Sequence, residues 1–361
     1  MLSFLMILAQ LTVPLQEPAA VSPHGDQVSF AIERTRTALD GPAPRVDEEQ
    51  ATPAQPALPP ATRRRRGSMV GYIDDAIIES KVRIRFDAGF HDTVPDRAEF
   101  FYAKCGCYAG GGDPDAPGPS PGSAKDLNFQ QLTVQGEYAV NDRFSAFADV
   151  PIRWIQPKDF IIPGSVPFGQ AGFPDQSGFS DLRAGAKVGI VASEEQSLTV
   201  QGQFYFPTGD AAKGLGTHHS SFEPALLYYQ RVSPVVVLES QVGVWLPIGG
   251  ASDPGGSGED FSGNVFYYGM GSGFEIYKRD RVQFAPVIEL VGWHLASGFQ
   301  TIEGPGGTVT TPRADGTDIV NLKIGARITV DRGSFYVGYG HALTDATWYD
   351  DIVRFEYRFS F

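Results

Sequence analysis

Residues 353–361 read Val353-Arg-Phe-Glu-Tyr-Arg-Phe-Ser-Phe361, and their pattern decides the fold. Val353, Phe355, Tyr357, Phe359 and Phe361 alternate with Arg354, Glu356, Arg358 and Ser360. A period of two describes a β-strand with two unlike faces. One face is apolar and mostly aromatic, and the other carries three charges in succession. A soluble sandwich would turn the apolar face inward and the charged face to water. A transmembrane barrel does the reverse, with apolar residues against lipid and charges in a wet lumen.

The same period recurs upstream. Val82, Ile84, Phe86, Ala88 and Phe90 oppose Lys81, Arg83, Arg85 and Asp87. Leu182 to Ile190, Leu198 to Phe206, Val236 to Leu246 and Val320 to Val330 repeat it. Around Phe266 to Phe274 the second face is a row of glycines, Gly269, Gly271 and Gly273. The segment from Ser334 to Leu343 alternates without a clear choice of face. Counted through, the pattern predicts a 12-stranded antiparallel transmembrane β-barrel, all-β in class. Its connections alternate, with short turns near 141–142, 193–196, 232–234, 278–280 and 331–333 and long loops between. Short periplasmic turns and long outer loops are the bacterial arrangement, and an even strand number places both termini in the periplasm.

Composition agrees. No run approaches 18 apolar residues, so a spanning helix is excluded while a barrel is not. The net charge of −13 argues against a nucleic-acid partner. Residues 1–20, with the apolar run Met1 to Ala9, are expected to be a secretory signal, although no Lys or Arg precedes that run. Residues 21–70 are expected to be a Pro/Ala-rich periplasmic linker, and nine prolines fall between Pro14 and Pro60. The linker ends near Arg63-Arg-Arg-Arg66, a solvated basic patch or an anchor for anionic headgroups. Residues 71–361 form the barrel, entered through a helical turn over Tyr72 to Glu79 capped by Asp74.

On the inward face, thirteen cations face seven carboxylates, which predicts a positive lumen. The residues expected to line it and meet a solute are Arg83, Arg85, Arg153, Arg183, Lys187, Glu239, Trp245, Glu289, Lys323, Arg327, Arg354 and Arg358. Fixed charge in a narrow tube focuses the field and favours an anionic or polar solute. Alternatively, the carboxylates pair with the arginines and knit the lumen shut. Eight strands leave room only for side chains and sixteen leave a channel; twelve lies between.

Cys105-Gly-Cys107 in the first long loop is a candidate disulfide with a one-residue gap, a pair of free thiols, or half of a metal site that needs further ligands. No cofactor and no dedicated metal site are expected; the acidic loop Asp253 to Asp260 lacks ordered ligand spacing. An enzyme is not expected either, because His294, His341 and Ser297 show no spacing that joins a nucleophile to a base.

Two resemblances add to this reading. The aromatic ending at Phe361 resembles the closing strand of outer-membrane barrels, which implies recognition by the barrel assembly machinery and insertion into outer-membrane lipid of a Gram-negative cell. Gly178-Phe-Ser-Asp-Leu-Arg-Ala-Gly-Ala-Lys187 and Phe204-Tyr-Phe-Pro-Thr-Gly-Asp210 resemble the outer-membrane family named for the meta-pathway of phenol degradation, with Ser180 where a second Gly is usual. That resemblance implies a porin-like, transport-associated barrel, in some members linked to aromatic or other hydrophobic compounds. The expected function is passive passage of a small anionic or aromatic solute. The alternatives are a plugged structural barrel that anchors a periplasmic partner and, less favoured, an outer-membrane lipid hydrolase.

Overall fold

The structure, a computed structural model, describes residues 67–93, 123–161, 174–250, 259–279 and 281–361. Twelve antiparallel strands close on themselves. They are β1 (Lys81–Asp92), β2 (Ser123–Asn141), β3 (Phe144–Ile161), β4 (Gln176–Phe179 and Leu182–Ala192), β5 (Gln196–Phe206) and β6 (Ser220–Arg231). Then come β7 (Val236–Ile248), β8 (Val265–Phe274 and Tyr277–Arg279), β9 (Val282–Leu295), β10 (Asp318–Val330), β11 (Gly333–Ala342) and β12 (Asp351–Ser360). Each strand pairs with its neighbours in sequence, and β12 returns to β1, with Phe355 opposite Phe86 and Arg354 opposite Asp87. Closure leaves no edge whose amides would lie unpaired in lipid.

The side chains are sorted as in a membrane barrel. On β12, Phe355 is 52% exposed and Phe359 41%, whereas Arg354, Glu356 and Arg358 are 5%, 3% and 4% exposed. Ile84 on β1, Val188 and Ile190 on β4 and Ile324 on β10 likewise face outward. The barrel therefore presents grease to its surroundings and encloses its charges, the arrangement of a membrane-spanning barrel. The segment from 334 to 343 resolves in the same sense: Tyr336 points in, and Phe335, Val337 and Tyr339 point out.

Two strands are interrupted. β4 breaks at Ser180 and Asp181, where Ser180 N–H still donates to Pro151 O at 3.0 Å. β8 breaks at Glu275 and Ile276. The short turns lie at one end of the barrel and the long loops at the other.

The entry segment differs from expectation. Residues 72–79 form bends rather than a helical turn. Their backbone amides are taken by lumen side chains, so the i to i−4 ladder that a helix needs never forms. Gly67 to Val70, read as the end of the linker, also belong to this segment.

A lumen occupied by its own chain

Residues 67–80 run inside the barrel, and inward-facing side chains hold their backbone. Glu239 Oε1 accepts the N–H of Met69 at 2.7 Å. Glu289 accepts three amides, from Gly71, Tyr72 and Ile73, at 2.9, 2.9 and 3.0 Å. Gln241 Oε1 accepts the N–H of Asp74 at 2.7 Å. The segment's carbonyls are matched by cations. Arg327 donates to Met69 O and Val70 O at 2.9 and 2.7 Å, Arg354 to Gly71 O at 2.6 Å, and Lys187 to Asp75 O at 2.9 Å. Carboxylates thus meet N–H donors and guanidiniums meet carbonyls, the charge-assisted pairings that are strongest in a low-dielectric interior.

The glycine row of β8 is the seat for this segment. A Cβ built on Gly271 would lie 2.7 Å from Val70 Cγ1, and one on Gly273 would lie 2.5 Å from Met69 Cβ. At the point of return, Asp75 holds Lys81 at 2.6 Å and lies 3.6 Å from Arg358. Lys81 and Lys187 share Glu137, at 3.4 and 3.1 Å.

Beside the segment lies a polar cavity of about 60 Å³. Seven cations and four carboxylates contribute to its lining, together with Tyr72, Phe147, Tyr205, Tyr267, Trp293 and Tyr349. Lys323 stands among three of these rings, 3.8 Å from the Tyr72 centroid, 4.8 Å from Tyr349 and 5.8 Å from Trp293. Arg354 lies 4.1 Å from the same Tyr72 centroid. Cations held over ring faces are stabilised by the ring quadrupole.

The loop end is narrowed by folded connections. Asp181, at the β4 break, accepts Gly209 N–H at 2.9 Å through Oδ1. Through Oδ2 it accepts the Thr217 N–H and hydroxyl at 2.7 and 2.8 Å. A Cβ on Gly216 would come within 2.5 Å of Asp181 Oδ1. The Pro-Thr-Gly connection is therefore tied to Asp181, and it carries Leu215 into the buried cluster. Trp348, buried in the last loop, packs on Trp293 at 4.7 Å, and Phe261 stacks on Phe299 at 6.4 Å. Lys125 on β2 meets Glu303 at 2.9 Å and Arg313 meets Glu259 at 2.6 Å, which ties the loops to the wall and to one another.

All twelve residues expected in the lumen are buried in the described structure. It divides them into two groups. Glu239, Glu289, Arg327, Arg354, Arg358 and Lys187 hold the luminal segment. Arg83, Arg85, Arg183 and Lys323 line the cavity, where Arg354 and Lys187 also reach it. Arg153 grips Gln131 Oε1 at 2.9 and 3.0 Å, and Trp245 packs near Tyr205 at 6.3 Å.

The expected excess of positive charge needs correction. Arg143 and Arg281 share the inward parity but lie in exposed turns, and half-buried Arg231 is held by Glu275 at 2.6 Å. Among the described residues, ten buried Lys and Arg side chains are matched by eleven buried Asp and Glu. Asp75, Asp92, Asp181 and Glu275 are the carboxylates that strand counting left out. Tyr72 and Tyr349 of the cavity were also missed, since neither belongs to an alternating strand.

Cys105 and Cys107, Arg63 to Arg66 and most of the acidic loop from Asp253 lie outside the described residues. So do the expected signal and nearly all of the expected linker. His294 and His341 sit on outward positions at the loop end, where their Nδ1 atoms meet Asp318 and Asp351 at 2.8 Å. Ser297 Oγ accepts the N–H of Asn264 at 2.9 Å.

Asp181, Lys187 and Pro207-Thr208-Gly209 are the residues that carried the sequence resemblance, and they fall inside a family match. Residues 128–245 match the family described as putative MetA-pathway of phenol degradation. Over that stretch the chain is similar to this family. In this stretch the motif acts as a clamp: Asp181 ties the connection after β5 to the break in β4. The chain is also similar to solved barrels. An outer-membrane channel from Pseudomonas putida F1 is 12% identical, with 79% of this chain and 96% of that one covered and a TM-score of 0.49. The NanC porin is 8% identical, with 78% and 100% covered and a TM-score of 0.43. The KdgM porin is 8% identical, with 78% and 99% covered and a TM-score of 0.38. No curated protein matches the chain.

Proposed function

We propose that this outer-membrane barrel gives a small anionic or aromatic solute passive passage, and that residues 67–80 act as a removable stopper. The supporting observation is the cavity of about 60 Å³ beside the segment, lined by more cations than carboxylates and by six aromatic rings. The segment is held through hydrogen bonds and ion pairs to the wall, so it can leave as a unit while the barrel's own ladder stays intact. Fixed cations in a low-dielectric tube raise the local concentration of anions, and the rings offer faces to an aromatic solute.

The strength of the same clamp supports a second reading. A segment bound by Glu239, Glu289, Arg327 and Arg354 also suits a permanently closed barrel whose N-terminal extension tethers a periplasmic partner. Conductance and solute flux separate the two. The full chain in planar bilayers is expected to show rare openings, and release of the segment should make them frequent. No current from either the full chain or a variant with a weakened clamp would remove passage and leave the tether. The hydrolase reading has less support, because the histidines it would use are turned toward aspartates. Substituting His294 and His341 while assaying lipid release tests it.

A further inference from the structure

Arg183, Arg327, Arg354 and Arg358 each have a carboxylate within 3.0 Å, and the two arginines on β1 do not. Asp87 takes both prongs of Arg354, at 2.5 and 3.1 Å, which leaves Arg85 at 3.3 Å through an Nε that makes no hydrogen bond. Glu356 Oε1 takes Arg327 at 2.8 Å and Arg358 at 2.6 Å, while Arg83 reaches Glu356 only at 4.0 Å. Arg83 and Arg85 are 5% and 6% exposed and both line the cavity. They stand two residues apart on one strand, so both point inward from one stretch of wall.

Their surroundings extend the same chemistry. Arg83 pairs in register with Gln135, Gln135 with Asp149, and Asp149 with Arg183, so one inward row crosses four strands. Asp149 is committed to Arg183 at 3.0 Å. Asp74 of the luminal segment lines the same cavity, and its Oδ2 accepts from Gln201 at 3.2 Å. A buried guanidinium without a close counter-charge is costly unless an anion or water completes it. The planar fork of arginine matches the paired oxygens of a carboxylate or phosphate.

We infer that Arg83 and Arg85, with the row to Arg183 behind them, form a binding site in the cavity for the oxyanion of a small carboxylate- or phosphate-bearing solute. The inference rests on the passage reading and names the solute class for it. Asp74 then occupies the neighbourhood of the site while the segment is in place, so a bound oxyanion and the segment's own carboxylate share the same cations.

Calorimetric titration of the folded, full-length protein with benzoate, and separately with inorganic phosphate, tests the site. Saturable binding of at least one probe is expected. The variant Arg83→Gln/Arg85→Gln should weaken it tenfold or more, Arg83→Lys/Arg85→Lys should retain part of it, and Arg281→Gln, in an exposed turn, should leave it unchanged. Benzoate stronger than phosphate assigns the rings a share; phosphate alone assigns the site to the oxyanion. Failure of both probes to saturate, or a double variant that binds like the wild type, overturns the site. Should the double variant fail to give the heat-resistant compact band of a folded barrel, Arg85→Gln decides by the same comparison. Binding without solute flux in bilayers keeps the site and removes passage; flux without binding keeps passage and removes the site.

Discussion

Glu289 on β9 accepts the backbone N–H of Ile73 at 3.0 Å, across 216 positions of chain. The same carboxylate also takes Gly71 and Tyr72 N–H and the Tyr336 hydroxyl, at 2.9, 2.9 and 3.1 Å. Substitution by Gln removes the charge and turns an NH2 group toward donors. Hydrogen bonds to charged groups contribute about 1.5–3 kcal/mol each, so losing two of them would lower segment occupancy by about a hundredfold or more. Glu289→Gln is expected to raise open probability in single-channel recordings by at least tenfold. Recordings indistinguishable from the wild type would show that this carboxylate does not hold the stopper.

Gly273 tests the same element by volume instead of charge. Its missing Cβ is the room occupied by Met69, so Gly273→Val places a branched side chain where the segment lies. Overpacking costs about 1–3 kcal/mol, and the segment can yield where the paired strands cannot. The expected result is a folded barrel with raised conductance. A variant that stays closed would mean that the strand shifts and the segment does not.

Asp181 ties down the connection after β5 through Gly209 and Thr217. Asp181→Asn keeps the size and loses a charged acceptor of three hydrogen bonds. Amide exchange at Gly209 and Thr217 should then quicken at least tenfold, while amides in mid-β5 stay protected. Equal protection in both proteins would assign the loop's position to Leu215 packing alone.

The strand pattern was legible because each strand carries its own code. Arg354, Glu356 and Arg358 alternate with rings within nine residues, and no distant partner is needed to interpret them. The luminal segment was not legible, for a physical reason. Its amides and carbonyls make the bonds to Glu239, Glu289 and Arg327, and backbone groups are the same in every sequence. The glycine row at 269, 271 and 273 was visible as an inward face, yet its meaning depended on Met69, Val70 and Ile73, some 200 positions away. Arg143 and Arg281 were placed in the lumen by parity, which cannot tell where a strand ends and its turn begins. Asp75, which meets Lys81 and Arg358, and Glu275, which holds Arg231, lie outside any alternating run.

Lys323 and Ile324 are neighbours on β10 with opposite fates: Lys323 is 1% exposed and Ile324 is 55% exposed. Ile324 sits near mid-strand, between Ile288 on β9 and Tyr339 on β11 in register. If the outer wall meets hydrocarbon there, a charge at 324 must be desolvated, while the charge at 323 already has Tyr349 as a partner at 2.5 Å. Arginine on the lipid face near the midplane costs about 2–4 kcal/mol, and near the interface about 0–1. Ile324→Arg is therefore expected to lose about 2–4 kcal/mol in denaturant unfolding from lipid vesicles, and Val330→Arg, at the end of the same strand, about 1 kcal/mol or less. Equal small losses at both positions would mean that no apolar slab surrounds the barrel, and the membrane assignment would fail with that gradient.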